Sequence, residues 1–328
     1  METTQIPNIP QKVSKIGLGT WAIGGSLWGG TNEKEAIQTI LEALKQGVNL
    51  IDTAPAYGKG ASEETVGKAI QQYGKRESVV IATKMGLNQE TNDTFRDSRK
   101  ESILREIEAS LRRLKTDYID IYQIHWPDPK TPLAETADAL HELLHQGKIK
   151  AIGVSNFSVQ QMEEFRKSAP LHVLQTPFNI FERESQGEIL PYCKKHGIAT
   201  LAYSSLCRGL LSGTMSKDRE FKGDDLRKGM DPKFKEPQFS QYLAAAEALK
   251  AWGAKMKHPL NALAVRWVLD SGINVALWGA RKPDQIDDVP AAMGWNLSPQ
   301  DLAEIDRIVE ETVTDPAGMA WMAPPVRK

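Results

Sequence analysis

The sequence predicts an α/β fold, in which eight parallel strands close into a (β/α)8, or TIM, barrel with helices around it. Short apolar runs of strand length alternate along the chain with segments of helical periodicity. The alternation supplies eight strands, which is the number that closes a parallel sheet of this kind. A length of 328 residues is ordinary for one such barrel with insertions, so we expect a single domain over residues 1–328.

The strands are expected where apolar runs are bounded by turn residues. In order they are Lys15–Thr20, the run ending at Asp52, 79–84, 118–125, Ile149–Ser155, Val173–Phe178, Ala199–Ser204 and Asn274–Gly279. The helices are expected where apolar residues recur at helical spacing. They are Glu33–Gln46, Ser62–Gln72, Ser98–Leu114, Leu133–His145, 158–168, 185–195, 241–256, 260–270 and 298–312.

Three segments lie outside this alternation. Residues 5–14 predict a short hairpin that closes the bottom of the barrel. Residues 212–240 alternate charges and contain Gly and Pro, which predicts a mobile surface loop that can close over a long ligand on the catalytic face. The tail, residues 313–328, is expected either to fold over the mouth of the site or to pack on the side of the barrel.

Four chemically active side chains follow neighbouring strands. Asp52, Lys84 and His125 each end an apolar run, and Tyr57 lies in the turn-rich segment after Asp52. Because the carboxyl ends of parallel strands meet at one face of a barrel, we expect these four side chains to face one spot.

This combination suits proton transfer to a developing alkoxide. A Tyr hydroxyl gives up its proton reluctantly at neutral pH, and a neighbouring ammonium is expected to lower its pKa. In this scheme Asp52 keeps Lys84 charged and oriented, and His125 orients a carbonyl oxygen or shares its proton.

Three motifs resemble the aldo-keto reductases over about residues 12 to 310. They are Asp-Thr-Ala-x-x-Tyr-Gly at 52–58, Ala-Thr-Lys at 82–84, and Ser-Leu-Arg-Arg-Leu-x-x-Asp-Tyr-Ile-Asp at 110–120, which runs into His125. The resemblance implies reduction of an aldehyde or ketone by hydride transfer from NADP(H), with NAD(H) as the alternative. Tyr57 is the expected general acid, and no metal is expected.

The resemblance places the cofactor along the later strand ends. Ser155, Asn156 and Gln175 have the donors and acceptors that a carboxamide needs, and Tyr203 offers a flat face for the nicotinamide ring. The loop after Tyr203 has free amides and an Arg, which suit a pyrophosphate. The further expected contacts are Gly19, Thr20, Trp21, Ser204, Leu206, Arg208 and Gly209.

The adenosine end is expected after the last strand, at Gly279, Arg281, Gln285 and Asp288. The sequence departs here from the commonest family pattern, with Ala280 for Ser, Gln285 for Arg and Val289 for Asn. Arg281 and Lys282 can still neutralise a 2′-phosphate, which favours NADP(H).

The loop after the first strand does not match the dinucleotide fingerprint. Its third glycine position holds Ala22, so a Rossmann site is disfavoured. Trp21 and Trp28 in this loop, with Trp126 after His125, are candidates to line the substrate pocket, and rim packing is the alternative.

Composition excludes several other classes. A net charge of −1 and a pI near 6.6 do not indicate a nucleic-acid surface. The start METTQIPNIP has no apolar signal core, and no run is long enough to span a membrane. Cys193 and Cys207 are too few for a disulfide scaffold. We therefore expect a cytoplasmic protein with reduced thiols, and the resemblance implies a monomer whose partner is a small aldehyde or ketone.

Two alternative functions stay open. A cofactor-sensing regulatory subunit, like the potassium-channel β subunits, would bind NADP(H) without turnover. A barrel glycosidase needs two carboxylates facing each other, and the strand ends supply only Asp52. His141 and His145 have no convincing zinc pattern.

Overall fold

The computed structural model describes residues 1–88 and 94–328 and confirms the closed parallel barrel. The barrel strands β1–β8 are Ile16–Gly19, Leu50–Asp52, Val80–Met85, Ile119–Ile124, Ile149–Ser155, Val173–Pro177, Ala199–Tyr203 and Val275–Gly279. Each strand pairs with its neighbours in chain order, and β8 pairs with β1 to close the ring.

Nine α-helices are found among the described residues. In chain order, α1–α9 are Glu33–Lys45, Ala61–Tyr73, Lys100–Leu114, Leu133–His145, Val159–Phe165, Ile189–His196, Gln238–Lys255, Leu260–Asp270 and Pro299–Thr312. Most bounds lie within a few residues of the prediction. In the part of the chain that the structure describes, none of these helices has the length and apolarity needed to cross a bilayer.

Two helices differ from the prediction for local reasons. The helix α3 begins at Lys100 and not at Ser98, because the Ser98 amide donates to the Asp128 carboxylate at 3.2 Å. The segment 185–195 is divided, since a single 3-10 turn ends before Gly187 and α6 begins at Ile189. A tertiary hydrogen bond precedes the first start, and a glycine precedes the second.

The predicted hairpin closes the bottom of the barrel. Thr3–Thr4 pairs antiparallel with Val13–Ser14, and Ile6 and Ile9 between them are buried against the barrel interior. The interior above them is apolar, with Ile121 in its middle. This plug keeps water out of the lower half of the barrel.

The uppermost interior layer is polar and forms the floor of the mouth. Asp52, Lys84, Gln123 and Gln175 lie on the inner faces of β2, β3, β4 and β6 and are at most 2% exposed. The strand register sets Lys84 beside Gln123, and Gln123 beside Gly153. Buried polar groups are retained only where they have partners or chemical work, so this layer marks the candidate site.

The segment 212–240 lies at the surface and is anchored at several points, and its mobility stays a prediction. Leu226 and Arg227 are buried, and Arg227 makes a two-pronged ion pair with Asp225. The amides of Leu27 and Gly29 donate to Asp224 at 2.8 and 3.1 Å, which holds this part of the segment against the loop after β1. The charged residues at 217–220 and 222 are exposed, as a surface loop predicts.

The tail joins loops from opposite sides of the barrel, and its position over the mouth stays a prediction. Near its start Ala317 accepts a hydrogen bond from Lys233 at 2.7 Å, and Trp321 lies 5.8 Å from the Arg208 guanidinium, after β7. Near its end the Pro325 carbonyl accepts from the Arg96 amide, after β3. Since β3 and β7 are four strands apart in a ring of eight, these two sets of contacts lie on opposite sides of the ring.

Candidate active site

Lys84 is the centre of the polar layer. Its ammonium has three donors, and they meet Asp52 Oδ1 at 2.7 Å, the Thr53 carbonyl at 2.9 Å and the Tyr57 hydroxyl at 3.2 Å. The Lys84 side chain is 1% exposed. Because the Tyr57 oxygen accepts from Lys84, its own hydrogen is left to donate upward, into the mouth. Three of the four predicted residues are thus in direct contact.

Tyr57 is held in place by a close approach of two loop backbones. A Cβ on Gly24, after β1, would lie 2.6 Å from the Tyr57 carbonyl carbon. A Cβ on Gly58 would lie 2.1 Å from the Gly24 oxygen, and Gly58 has a φ of +67°. Only glycine allows both the contact and this left-handed backbone, so the two glycines set the height of Tyr57 above Lys84.

The electrostatics favour a protonated phenol. Burial, followed by the nearby Asp52 carboxylate, raises the pKa of Tyr57 well above its ordinary value. This is opposite to the expected lowering, because burial disfavours the charged phenolate and the Asp52 carboxylate adds to that effect. Burial lowers the pKa of Lys84, and the Asp52 charge opposes that change.

His125 completes the group of four. Its ring centroid lies 5.8 Å from that of Tyr57, at an interplanar angle of 83°. Burial, followed by the Lys84 charge, lowers the pKa of His125 well below its ordinary value. The imidazole is therefore neutral at pH 7, and it can donate one N–H to an oxygen without competing for the proton of Tyr57.

Aromatic rings form one wall of the mouth. Trp21 stacks on Tyr57 at 6.1 Å between centroids, and Trp28 meets Trp21 edge-on at 5.4 Å. Trp126 packs against Arg96, with the guanidinium 5.7 Å from the ring. The structure thus brings Trp21 and Trp28 to Tyr57, and it places Trp126 beside the segment that carries the end of the tail.

The strand ends of β5 and β7 form a second wall. The Tyr203 hydroxyl donates to Asn156 Oδ1 at 2.8 Å, and Asn156 Nδ2 donates to the His125 carbonyl and to Ser155 Oγ, both at 3.0 Å. Gln175 Nε2 donates to Asp52 Oδ2 at 2.7 Å. Asn156 therefore ties the Tyr203 ring to the strand that carries His125.

Two predicted cofactor contacts are used within the protein. Thr20 is fully buried, and its hydroxyl bonds the Asp52 carbonyl at 2.8 Å and Ser62 at 2.7 Å, so its side chain is not available to a ligand. Gly19, directly before it, is partly exposed at the strand end. The Thr20 hydroxyl therefore braces β1 against β2, and a contact of Thr20 with a cofactor stays a prediction.

The Arg208 side chain is the second such case. Its guanidinium is 2% exposed and pairs with Glu182 at 2.6 Å and with Asp231, and it donates to Ser204 Oγ at 3.0 Å. Lys233 adds a second cation on Glu182 at 2.7 Å. Two carboxylates already pair with the Arg208 guanidinium, and its contact with a pyrophosphate stays a prediction.

The backbone around Arg208 nevertheless fits an anion. Ser204, Cys207 and Arg208 all have left-handed φ values, and such turns leave amides pointing outward. Within residues 1–88 and 94–328, the amides of Ser205 and Leu206 donate to no backbone carbonyl. Leu206 and Gly209 stay partly exposed at this turn.

The segment after β8 is exposed and ordered by its own side chains. Gln285 Oε1 accepts from the amides of Arg281 and Lys282, and Asp288 accepts from Asn261 at 2.8 Å. Arg281 donates to the Trp28 carbonyl at 2.7 Å, which joins this segment to the loop after β1. Gly279 is exposed at the strand end.

Sequence reasoning missed several residues of the site. Gln123 was missed because every residue of β4 is buried, so the strand has no alternation to reveal its inward face. Asp231 and Lys233 were missed although a signal exists: Asp231 accepts from the amide two residues ahead, as Asp225 does from Arg227. An Asp two residues before a basic residue is a turn signature that the charge pattern concealed.

Comparison with known proteins agrees with this geometry. The model of the Aldo/keto reductase family matches residues 15–310. The chain is 53% identical to the aldo-keto reductase YhdN of Bacillus subtilis (strain 168), over 100% of this chain and 99% of that protein. It is 37% identical to the NADH-specific methylglyoxal reductase of Escherichia coli (strain K12), over 91% and 95%.

A solved structure is equally similar. The glycerol dehydrogenase AKR11B4 from Gluconobacter oxydans superposes with a TM-score of 0.87 at 49% identity, covering 97% of this chain and 99% of that one. The family match spans the barrel strands, and with them Asp52, Tyr57, Lys84 and His125. The chain therefore belongs to the aldo/keto reductase family, and it is an oxidoreductase that acts on carbonyl compounds.

Proposed function

We propose that the protein reduces small aldehydes or ketones to alcohols with NADP(H), and that Tyr57 gives the proton. The observation that carries the proposal is the Lys84 ammonium, which uses its three donors on Asp52, Thr53 and Tyr57 and so directs the Tyr57 hydrogen into the mouth. In reduction a carbonyl oxygen gains negative charge and needs a proton from a positioned acid.

The residues at the later strand ends fit a nicotinamide cofactor. Tyr203 offers a ring fixed by Asn156, Ser155 and Gln175 lie beside it, and the turn after β7 has outward amides. When bound, the reduced nicotinamide supplies the hydride. Ser155, Asn156 and Gln175 are the proposed carboxamide contacts, Tyr203 the stacking face, and Ser204, Leu206 and Gly209 the backbone contacts to pyrophosphate.

The protein's own steps follow from the site. The neutral His125 imidazole donates to the substrate oxygen and orients it over Tyr57. Tyr57 then releases its proton to the oxygen as charge develops, and the Lys84 ammonium stabilises the phenolate that remains. Asp52 keeps Lys84 charged throughout.

Arg281 and Lys282 support the 2′-phosphate form of the cofactor. The positive charges of Arg227 and Arg219 act on Arg281, and the Asp225 and Glu35 carboxylates partly oppose them. The relative from Escherichia coli is NADH-specific by name, which makes the preference a question for measurement. The names methylglyoxal reductase and glycerol dehydrogenase indicate small polar carbonyl compounds and polyols as the substrate class to assay.

The test is Tyr57→Phe, measured by loss of NADPH absorbance with methylglyoxal and with nitrobenzaldehyde. We expect kcat to fall about 10²- to 10⁴-fold while the Kd for NADPH stays within about twofold. Tyr122→Phe is the matched control, because the buried Tyr122 hydroxyl has no partner within the described residues and lies outside the barrel interior. Unchanged kcat in Tyr57→Phe would reject the assignment.

A second outcome separates the enzyme from a sensor. Tight NADPH binding by the wild-type protein without turnover of any carbonyl compound in the panel would favour the regulatory-subunit hypothesis. The contact of Lys84 with Tyr57 favours the enzyme, because a binding protein has no need of a buried acid aimed at its ligand.

A further inference from the structure

Gln123 occupies a place in the active-site floor that the proposed mechanism does not use. It lies on the inner face of β4, fully buried, one layer above Ile121 and beside Lys84 in the strand register. Its Nε2 atom is 3.5 Å from Asp52 Oδ2, the oxygen that also accepts from Gln175 at 2.7 Å.

The neighbouring strand is built around this side chain. Gly153 of β5 lies directly opposite, and a Cβ there would come 2.6 Å from the Gln123 Cγ. The absence of a side chain at Gly153 is therefore what admits a long residue at this position. The fit is specific to an unbranched chain of this length.

The amide group of Gln123 carries a free-energy cost at this buried position. Its Oε1 atom is buried and has no hydrogen-bond partner in the part of the chain that the structure describes. An unsatisfied buried acceptor destabilises a protein, and an apolar side chain of the same shape would avoid the cost. An unsatisfied amide oxygen in the floor of the active site indicates that the amide has a function there.

The two carboxylate oxygens of Asp52 have different hydrogen-bond partners, which indicates what the Gln123 amide does. Asp52 Oδ1 holds Lys84, while Oδ2 faces the amide donors of Gln175 and Gln123. Amide donors on one oxygen fix the rotation of the carboxylate, so the other oxygen stays on the ammonium. With Gln175 also a proposed carboxamide contact, Gln123 is the donor left to keep Asp52 in place when that contact forms.

We infer that Gln123 is a positioning residue, which acts through Asp52 to keep Lys84 charged and aimed at Tyr57. The inference rests on the proposed function. Without this donor, Asp52 can rotate away from Lys84 once Gln175 contacts the carboxamide, and the burial that already lowers the pKa of Lys84 then acts with less opposition. The variant should therefore lose protonated Lys84 at a lower pH than the wild type does.

The test is Gln123→Met, which keeps the length and the contact with Gly153 while removing the amide. Ile121→Met is the matched control, since Ile121 faces inward on the same strand but touches only the apolar layer. We expect Gln123→Met to lower kcat about tenfold with KM nearly unchanged, to move the alkaline limb of the kcat profile to lower pH, and to keep or raise Tm. Ile121→Met should show neither kinetic change.

A readout independent of turnover is the titration of the Lys84 Cε resonance in ¹³C-lysine-labelled protein saturated with NADP⁺, assigned with Lys84→Met. A titration at lower pH in Gln123→Met supports the inference, even if the wild-type protein proves to reduce no carbonyl compound and the proposed function fails. A wild-type titration and pH profile in Gln123→Met overturns it. So does a joint loss of kcat and Tm with an unmoved limb, because that result describes packing alone.

Discussion

The contact between Gly24 and Gly58 gives the sharpest prediction for the position of Tyr57. In Gly58→Ala, the new Cβ would lie 2.1 Å from the Gly24 oxygen, and an alanine would have to hold a φ of +67°. The left-handed backbone alone costs about 1–2 kcal/mol. Since the overlap is with backbone, the loop after β2 has to move, and Tyr57 moves with it.

The expected magnitude follows from the 3.2 Å contact of Tyr57 with Lys84. A displacement of about 1 Å at a reacting group can cost about 100-fold in rate. We therefore expect kcat for carbonyl reduction to fall about 100-fold in Gly58→Ala, with a Tm loss of roughly 2–6 °C. Steady-state kinetics and thermal unfolding measure the two effects separately.

Gly74→Ala is the matched control. Gly74 ends α2 with a φ of +74°, and a Cβ there would meet nothing within 4 Å. It should lose a similar amount of stability through the left-handed backbone and keep its kcat. Wild-type kcat in Gly58→Ala, or an equal loss of kcat in Gly74→Ala, would refute the view that this backbone contact positions Tyr57.

Three further predictions concern charge. The pKa of His125 lies well below 6.5 and that of Tyr57 lies well above 10, so kcat for reduction should be level from pH 6.5 upward until Lys84 titrates. An acid limb of the kcat profile centred at or above pH 6.5 would contradict a neutral His125. Arg281→Met should raise KM for NADPH about 10- to 100-fold and KM for NADH far less, and equal increases would exclude a 2′-phosphate contact. Lys233→Met leaves Glu182 with one cation fewer and should cost about 3–5 kcal/mol in urea unfolding, whereas Lys235→Met, at an exposed position, should cost little.

The fold and the central group of the site could be predicted because strand ends carry them. Asp52, Lys84 and His125 follow runs whose length and spacing admit only parallel strands, and parallel strands bring their carboxyl ends together. The residues that form ion pairs around the site could not be predicted from the sequence. Arg208 meets Glu182 and Asp231, which are 26 and 23 positions away, and nothing local in the sequence joins them.

The direction of the Tyr57 pKa failed for a related reason. It depends first on the burial of the phenol and then on the nearby Asp52 charge, and neither is visible in the sequence. The sequence places Asp52, Tyr57 and Lys84 at neighbouring strand ends but does not provide the distance of 2.7 Å between Asp52 and Lys84. The same limit holds for residues 212–240, because a charge pattern does not distinguish Asp224 and Asp225, which have partners, from the exposed charges at 217–220.

The tail joins the segment after β7 to the segment after β3, so one short stretch of chain ties loops from opposite sides of the barrel. Neither loop can then swing outward without breaking an anchor of the tail, such as the hydrogen bond from the Arg96 amide to the Pro325 carbonyl. The tail therefore restrains the outward movement of both loops.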